Sequence, residues 1–183
     1  MSKVISLSGY ARSGKDTLAG FITHSGAYHR VAFADALKQT LYDTNPLLDV
    51  DGTRLQDAID KLGQEGIKVS KYNDEYRRLC QYFGTEGARN NISETVWIDI
   101  VLAKVTRETD KGFVVTDTRF LNELDALKSV GAVTVWVDRP GVGPINGHAS
   151  DNQIKPESCD IIVPNTSTPE DMFARFVDEF NAF

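Results

Sequence analysis

Short apolar runs alternate along this chain with stretches whose apolar positions recur every three or four residues. The runs at residues 4–8, 30–33, 112–116, 133–137 and 160–163 are rich in Val, Ile and Phe and read as buried strands. The helical spacing predicts helices over 15–25, 35–42, parts of 55–62, 72–83, 93–108, 122–129 and 169–180. Ser93 caps one of these, with Val96, Ile100, Val101 and Val105 as its apolar stripe. The last opens Thr168-Pro169-Glu170-Asp171, a cap followed by proline, and carries Met172, Phe173, Phe176, Val177 and Phe180 on one core-facing side. Such alternation predicts an α/β fold with a mainly parallel sheet. Two segments break the pattern. Residues 44–73 are polar and irregular, and 139–158 hold Pro140, Gly141, Gly143, Pro144, Gly147 and Pro156. Both exceed ordinary connections, so functional lids or substrate-binding insertions (about 44–90 and about 139–158) are expected within a single domain.

The densest signal is Gly9-Tyr10-Ala11-Arg12-Ser13-Gly14-Lys15-Asp16-Thr17, placed between the first strand and the first helix. Strand, G-x-x-x-x-G-K, helix is the context of a phosphate-binding loop. Gly9 and Gly14 let the backbone curl with its N–H groups inward, the helix N-terminus adds its dipole, and Lys15 brings a mobile charge to a polyphosphate. A Ser or Thr usually follows the lysine to meet magnesium. Here Asp16 follows, and Thr17 comes one later. Either Asp16 approaches the metal, or it caps the helix and Thr17 takes the usual role.

Net charge is −6 over 183 residues with a sequence pI near 5.1, which argues against non-specific nucleic-acid or membrane binding. No apolar run approaches a membrane span, and no leader is expected ahead of the first strand. Cys80 and Cys159 fit no metal spacing and are expected as free thiols in a reducing cytosol.

Further candidate chemistry gathers at predicted strand and helix ends. Asp117 and Arg119 follow the strand 112–116, where an α/β sheet collects its ligands. Asp117 faces magnesium or its waters, or caps the next helix. Asp35 is expected to cap the helix after the second strand, with Lys38 one turn on; together they suit an acceptor phosphate and its sugar, or a plain cap and a solvated lysine. A helix is expected to end at Gly84 before a polar turn carrying Arg89, whose planar fork suits a phosphate, while Gln81 and Tyr82 could read a base. Arg12 and Arg139 are candidates for stabilising a transferring phosphoryl group, and His148 for a phosphate contact.

Leu7–Thr17, with its Gly-Lys-Asp-Thr ending, resembles the phosphate-binding loop of bacteriophage deoxynucleoside monophosphate kinases. The likeness continues at Phe33–Lys38, Leu79–Glu86, Asp117–Glu123, Arg139–Gly141, His148–Asp151 and Asp160–Asn165, in family order. The resemblance implies a P-loop kinase three-layer αβα sandwich with a five-stranded sheet, and transfer of the ATP γ-phosphoryl group to a deoxynucleoside 5′-monophosphate with magnesium. By position, Gly9, Ala11, Arg12, Ser13, Gly14, Lys15, Asp16 and Thr17 would bind ATP, with Asp16, Thr17 and Asp117 on the metal side. Lys15, Arg12, Asp117, Arg119 and Arg139 would serve the transfer, and Asp35, Lys38, Gln81, Arg89, Arg119 and Asp151 the acceptor. Dimers are common in that family, so Trp97 stands as interface or core. The host cytoplasm is the implied compartment for a phage-encoded chain. A kinase of another phosphorylated small molecule, such as phosphomevalonate, and a nucleotide-binding switch are the competing readings.

Overall fold

A computed structural model describes residues 4–108, 110–144 and 153–183. Among these, five parallel strands form one sheet: β1 (Val4–Ser8), β2 (Tyr28–Val31), β3 (Gly112–Val115), β4 (Val133–Asp138) and β5 (Ile161–Pro164), in the order β2-β3-β1-β4-β5. β1 is buried along its whole length at the centre of the sheet. Its alternate side chains reach opposite layers. Ile5 and Leu7 join Val114, Val135 and Val163 in a core with Leu18 and Ile22 of α1 (Lys15–His24) and Met172 and Phe176 of α7 (Pro169–Ala182). Ser6 and Ser8 turn the other way, to Thr118: the two hydroxyls of Ser6 and Thr118 share a hydrogen bond of 2.9 Å, and the Ser8 hydroxyl donates to the Thr118 carbonyl at 3.4 Å. On that other side α6 (Leu121–Ser129) packs on β1 and β4, with Leu124 against Trp136 and Ile154. Helices on both faces of a parallel sheet make the three-layer α/β architecture that the alternation predicts.

The chain divides into two compact units, one running to Phe33 and resuming over Val101–Phe183, the other Ala34–Ile100. The second unit has its own core. α2 (Phe33–Thr44), which begins at the boundary, supplies Leu41; α3 (Leu55–Ile67) supplies Leu55, Ala58, Ile59 and Ile67; and α4 (Asn73–Tyr82) supplies Tyr76.

The observed elements differ from the sequence expectations in five places. β2 ends at Val31, because the Phe33 amide is captured by the Asp117 carboxylate (2.8 Å) and α2 begins there. Asp35 therefore lies inside the first turn of α2 and is not its cap. Within the stretch 44–73, the helix expected over parts of 55–62 runs on to Ile67 as α3, bent at Gly63 where φ is +74°. Gly84 does not end a helix: a π-helical turn, Phe83–Arg89, continues α4. Gly84 instead packs close to Leu37, where a Cβ would lie 3.1 Å from Leu37 Cδ2, and its carbonyl accepts the Trp97 indole N–H at 3.1 Å. Trp97 is thus core in the second unit. In α5 (Val96–Arg107) the buried stripe is Trp97, Ile98, Val101 and Val105, and Ile100 is exposed.

Candidate active site

Three residues between β1 and α1 hold positive φ: Gly9 (+139°), Arg12 (+66°) and Gly14 (+108°). A side chain at Gly9 would meet the Val137 carbonyl at 2.6 Å, and one at Gly14 would meet Asn165 Nδ2 at 2.5 Å. The loop is therefore pressed against the carboxyl ends of β4 and β5, and only glycine fits where it touches them. Arg12 adopts its left-handed conformation without that exemption, which stores about 1–3 kcal/mol of strain in the loop.

The loop's carbonyls are held in sequence. Ser13 N–H donates to the Tyr10 carbonyl at 3.2 Å, Arg139 Nη1 donates to the Arg12 carbonyl at 3.3 Å, and Asn165 Nδ2 donates to the Ser13 carbonyl at 2.8 Å. Lys15 Nζ donates to the carbonyls of Gly9 and Tyr10 at 2.8 Å each, folding its ammonium back over the loop. Asp16 and Thr17 are exposed on the first turn of α1, while Ser13 is buried with its hydroxyl oxygen unpartnered.

Next to the loop, the backbone after β3 carries Asp117, Thr118 and Arg119. Asp117 caps the start of α2 through Phe33 and does not cap α6, the helix that follows it in sequence. α6 is capped by Glu123, a buried side chain whose Oε2 accepts from Arg119 N–H (2.9 Å) and Phe120 N–H (3.2 Å). This fixes the backbone of Arg119 while its side chain stays exposed. Lys15 and Arg119 line one depression with Gly9, Tyr10, Trp136 and Ile154. Tyr10 sits edge-on to Trp136, ring centroids 5.2 Å apart, and the Trp136 indole N–H is buried without a partner.

The first unit thus brings together Gly9, Ala11, Arg12, Ser13, Gly14, Lys15, Asp16, Thr17, Asp117, Arg119 and Arg139 at the carboxyl end of its sheet. The second unit carries Asp35 and Lys38 on α2, Gln81 exposed near the end of α4, and Arg89 at the end of the π-helical turn. Asp151 and His148 lie outside the described residues. The sequence reading did not single out Asn165 or Glu123 as site residues. For Glu123 a signal existed, a glutamate three residues after a helix's N-cap position, Phe120. For Asn165, the hints were its position just past the end of β5 and its place in the segment Asp160–Asn165 that carries the family resemblance.

Burial holds both thiols protonated. Cys159 is pushed up to about 11 by desolvation, and Cys80 is raised for the same reason despite the neighbouring Tyr76 hydroxyl and Lys38 charge.

A profile of the family described as "Deoxynucleotide monophosphate kinase" matches residues 52–176. The chain belongs to the deoxynucleotide monophosphate kinase family. The profile match begins after the phosphate-binding loop, so the geometry of that loop is an independent observation. The deoxynucleotide monophosphate kinase of Enterobacteria phage T4 is 24% identical over 232 residues, covering 94% of this chain and 96% of its own. A protein of Acanthamoeba polyphaga mimivirus is 25% identical over 191 residues, covering 95% and 94%. Among solved structures, shikimate kinase from Aquifex aeolicus superposes with a TM-score of 0.51 at 15% identity, covering 98% of this chain and 96% of that one, which places the fold among the P-loop kinases. By family the chain is accordingly a nucleotide-using phosphotransferase. No helix among the described residues is long and apolar enough to cross a membrane.

Proposed function

We propose that the γ-phosphoryl group of ATP passes to the 5′-phosphate of a deoxynucleoside monophosphate at the carboxyl end of β1, with Lys15, Arg12, Arg119 and Arg139 neutralising the charge in transit. The observation that carries this is the loop itself: three positive-φ residues, its carbonyls tied back to β4 and β5, and Lys15 at its mouth. The acceptor phosphate is already an anion at neutral pH. No strong base is needed, and the work is alignment and charge neutralisation.

Magnesium fits the donors at hand. It favours hard oxygen ligands and takes one or two carboxylates together with substrate phosphates. Asp16, Thr17 and Asp117 supply such oxygens, with Asp16 or Thr17 as the residue on the loop side. When bound, the ion would draw charge from the β- and γ-phosphates. Asp117 keeps one oxygen on the Phe33 amide, which fixes its carboxylate for that role. Asp35, Lys38, Gln81, Arg89, Arg119 and Asp151 are assigned to the acceptor by their chemistry, lysine and arginine for phosphate, the others for sugar or base. Residues 139–158 would cover the phosphates and exclude water that would otherwise hydrolyse ATP. Phage and viral relatives favour deoxynucleotide supply in the cytoplasm of an infected cell.

A coupled ADP-release assay tests this reading. ATP and magnesium are offered with each of the four common deoxynucleoside monophosphates, with AMP, GMP and phosphomevalonate as alternatives. Turnover with one or more deoxynucleotides is expected. Turnover with phosphomevalonate alone, or ATP binding with no acceptor used, would overturn it.

A further inference from the structure

Asn165 sits just past β5, at the head of the turn leading into α7, outside the glycine-rich loop and more than a hundred residues from it in sequence. It is half-buried and bonded at both ends. Its backbone N–H donates to the Asp138 carbonyl at 2.6 Å, which fixes it to the end of β4. Its side-chain Nδ2 donates to the Ser13 carbonyl at 2.8 Å. That carbonyl belongs to the Ser13–Gly14 peptide. A trans peptide is planar, with C=O and N–H pointing oppositely, so holding the Ser13 oxygen toward β5 directs the Gly14 N–H away from it, into the loop's concave side. Gly14 is the residue before α1, where first-turn amides lack intrahelical partners and form an anion cradle. The same Nδ2 is the atom a Cβ at Gly14 would strike at 2.5 Å, so Asn165 also accounts for the glycine requirement there. Gly14 bears φ +108°, and glycine samples both signs of φ freely, so the bond to Asn165 selects one orientation.

We infer that Asn165 is a positioning residue for the donor nucleotide, orienting the Ser13–Gly14 peptide so that its amide faces the donor phosphates. This inference rests on the phosphoryl-transfer reading of the loop above. It separates two roles. A merely structural asparagine would, when replaced, lower the melting temperature and the active fraction alike for both substrates. A positioning asparagine weakens ATP and spares the acceptor.

The test is to measure ATP affinity by titration in the absence of acceptor, KM for ATP and for the deoxynucleoside monophosphate, and thermal unfolding, in wild type, Asn165→Ala and Asn165→Asp. Asn165→Ala removes one hydrogen bond and should weaken ATP about three- to tenfold. Asn165→Asp keeps the shape, replaces the donor by an acceptor facing the Ser13 carbonyl, and sets a negative charge behind the phosphate site, so it should weaken ATP by about tenfold or more. In both, KM for the acceptor should stay within about twofold, because the Ser13–Gly14 peptide serves the donor. Unchanged ATP affinity in Asn165→Ala overturns the inference whatever happens to stability, as does an equal loss for donor and acceptor. Should Asn165→Asp fail to fold, the alanine variant still decides. Wild-type protein that turns over with unchanged donor affinity in the variants refutes this inference alone, whereas wild-type protein that binds no ATP refutes the reading of the loop and the inference with it.

Discussion

Replacing Gly9 by alanine would place a methyl carbon 2.6 Å from the Val137 carbonyl oxygen and 2.8 Å from Ser13 Oγ, at a backbone φ of +139°. The Val137 oxygen belongs to β4 in the middle of the core and has little room to retreat. Two costs add. The backbone conformation costs a residue with a Cβ about 1–3 kcal/mol. Overpacking against fixed atoms costs about 1–3 kcal/mol more. The total, about 2–6 kcal/mol, is a large part of the stability of about 5–15 kcal/mol that a domain commands. At about 2–4 °C per kcal/mol for a chain of this size, Gly9→Ala should lower the melting temperature by roughly 4 to 24 °C. If the loop yields instead of the strand, the cost appears as lost ATP affinity. Thermal unfolding and ATP titration on the same preparation capture both routes. Two other glycines calibrate the argument. Gly26→Ala, at φ +75° with no atom within 4 Å, should show the backbone cost alone, and Gly20→Ala, helical and equally open, should raise stability by about 0.5–1 kcal/mol. A Gly9→Ala variant that matches wild type in both melting temperature and ATP affinity would refute the reasoning.

Lys15→Ala should cut turnover by about a hundredfold or more while the melting temperature holds within a few degrees, because the carbonyls it leaves on Gly9 and Tyr10 are part-buried and reachable by water; near-normal turnover would remove Lys15 from the chemistry. Glu123→Ala strips two amides of their acceptor at a buried position and should destabilise by about 1–3 kcal/mol in a denaturant titration, with a loss of turnover through the Arg119 backbone that Arg119→Ala reproduces without the loss of stability. Cys159, held up to about 11, keeps a thiolate fraction at pH 8 about a hundredfold below that of an ordinary thiol, so native protein should react with a disulfide reagent far more slowly than unfolded protein. The sign for stability follows: the folded state holds this proton more tightly than the unfolded one, so the contribution is present below pH 9 and lost as pH rises from 9 toward 11, visible as a falling melting temperature over that window.

The alternation of apolar runs made the sheet legible, and the glycine-lysine loop between the first run and the first helix made the phosphate site legible, because both are written in local spacing. Errors came where a distant residue decides a local boundary. β2 stops at Val31 because Asp117 captures the Phe33 amide, a contact across 84 positions that no window of sequence contains. Gly84 reads as a helix stop by composition, yet it lies inside a π-helical turn, close against Leu37 and with its backbone carbonyl on Trp97. The stripe on α5 was displaced for a related reason: Trp97 and Ile98 face the core, and Ile100 turns outward. Within the candidate site, the cations were proposed from their chemistry, whereas Asn165 escaped notice because its contact with Ser13 exists only once β5 lies beside the loop.

The proposed function stands on direct transfer of a phosphoryl group between two nucleotides on this chain. The measurement that tests it is product analysis with ATP labelled in the γ-phosphoryl group, incubated with magnesium and a deoxynucleoside monophosphate, for wild type and Lys15→Ala side by side. The account predicts label in the deoxynucleoside diphosphate, in step with ADP formed, and almost none with Lys15→Ala. Label recovered only as inorganic phosphate, or equal transfer by both proteins, would contradict it.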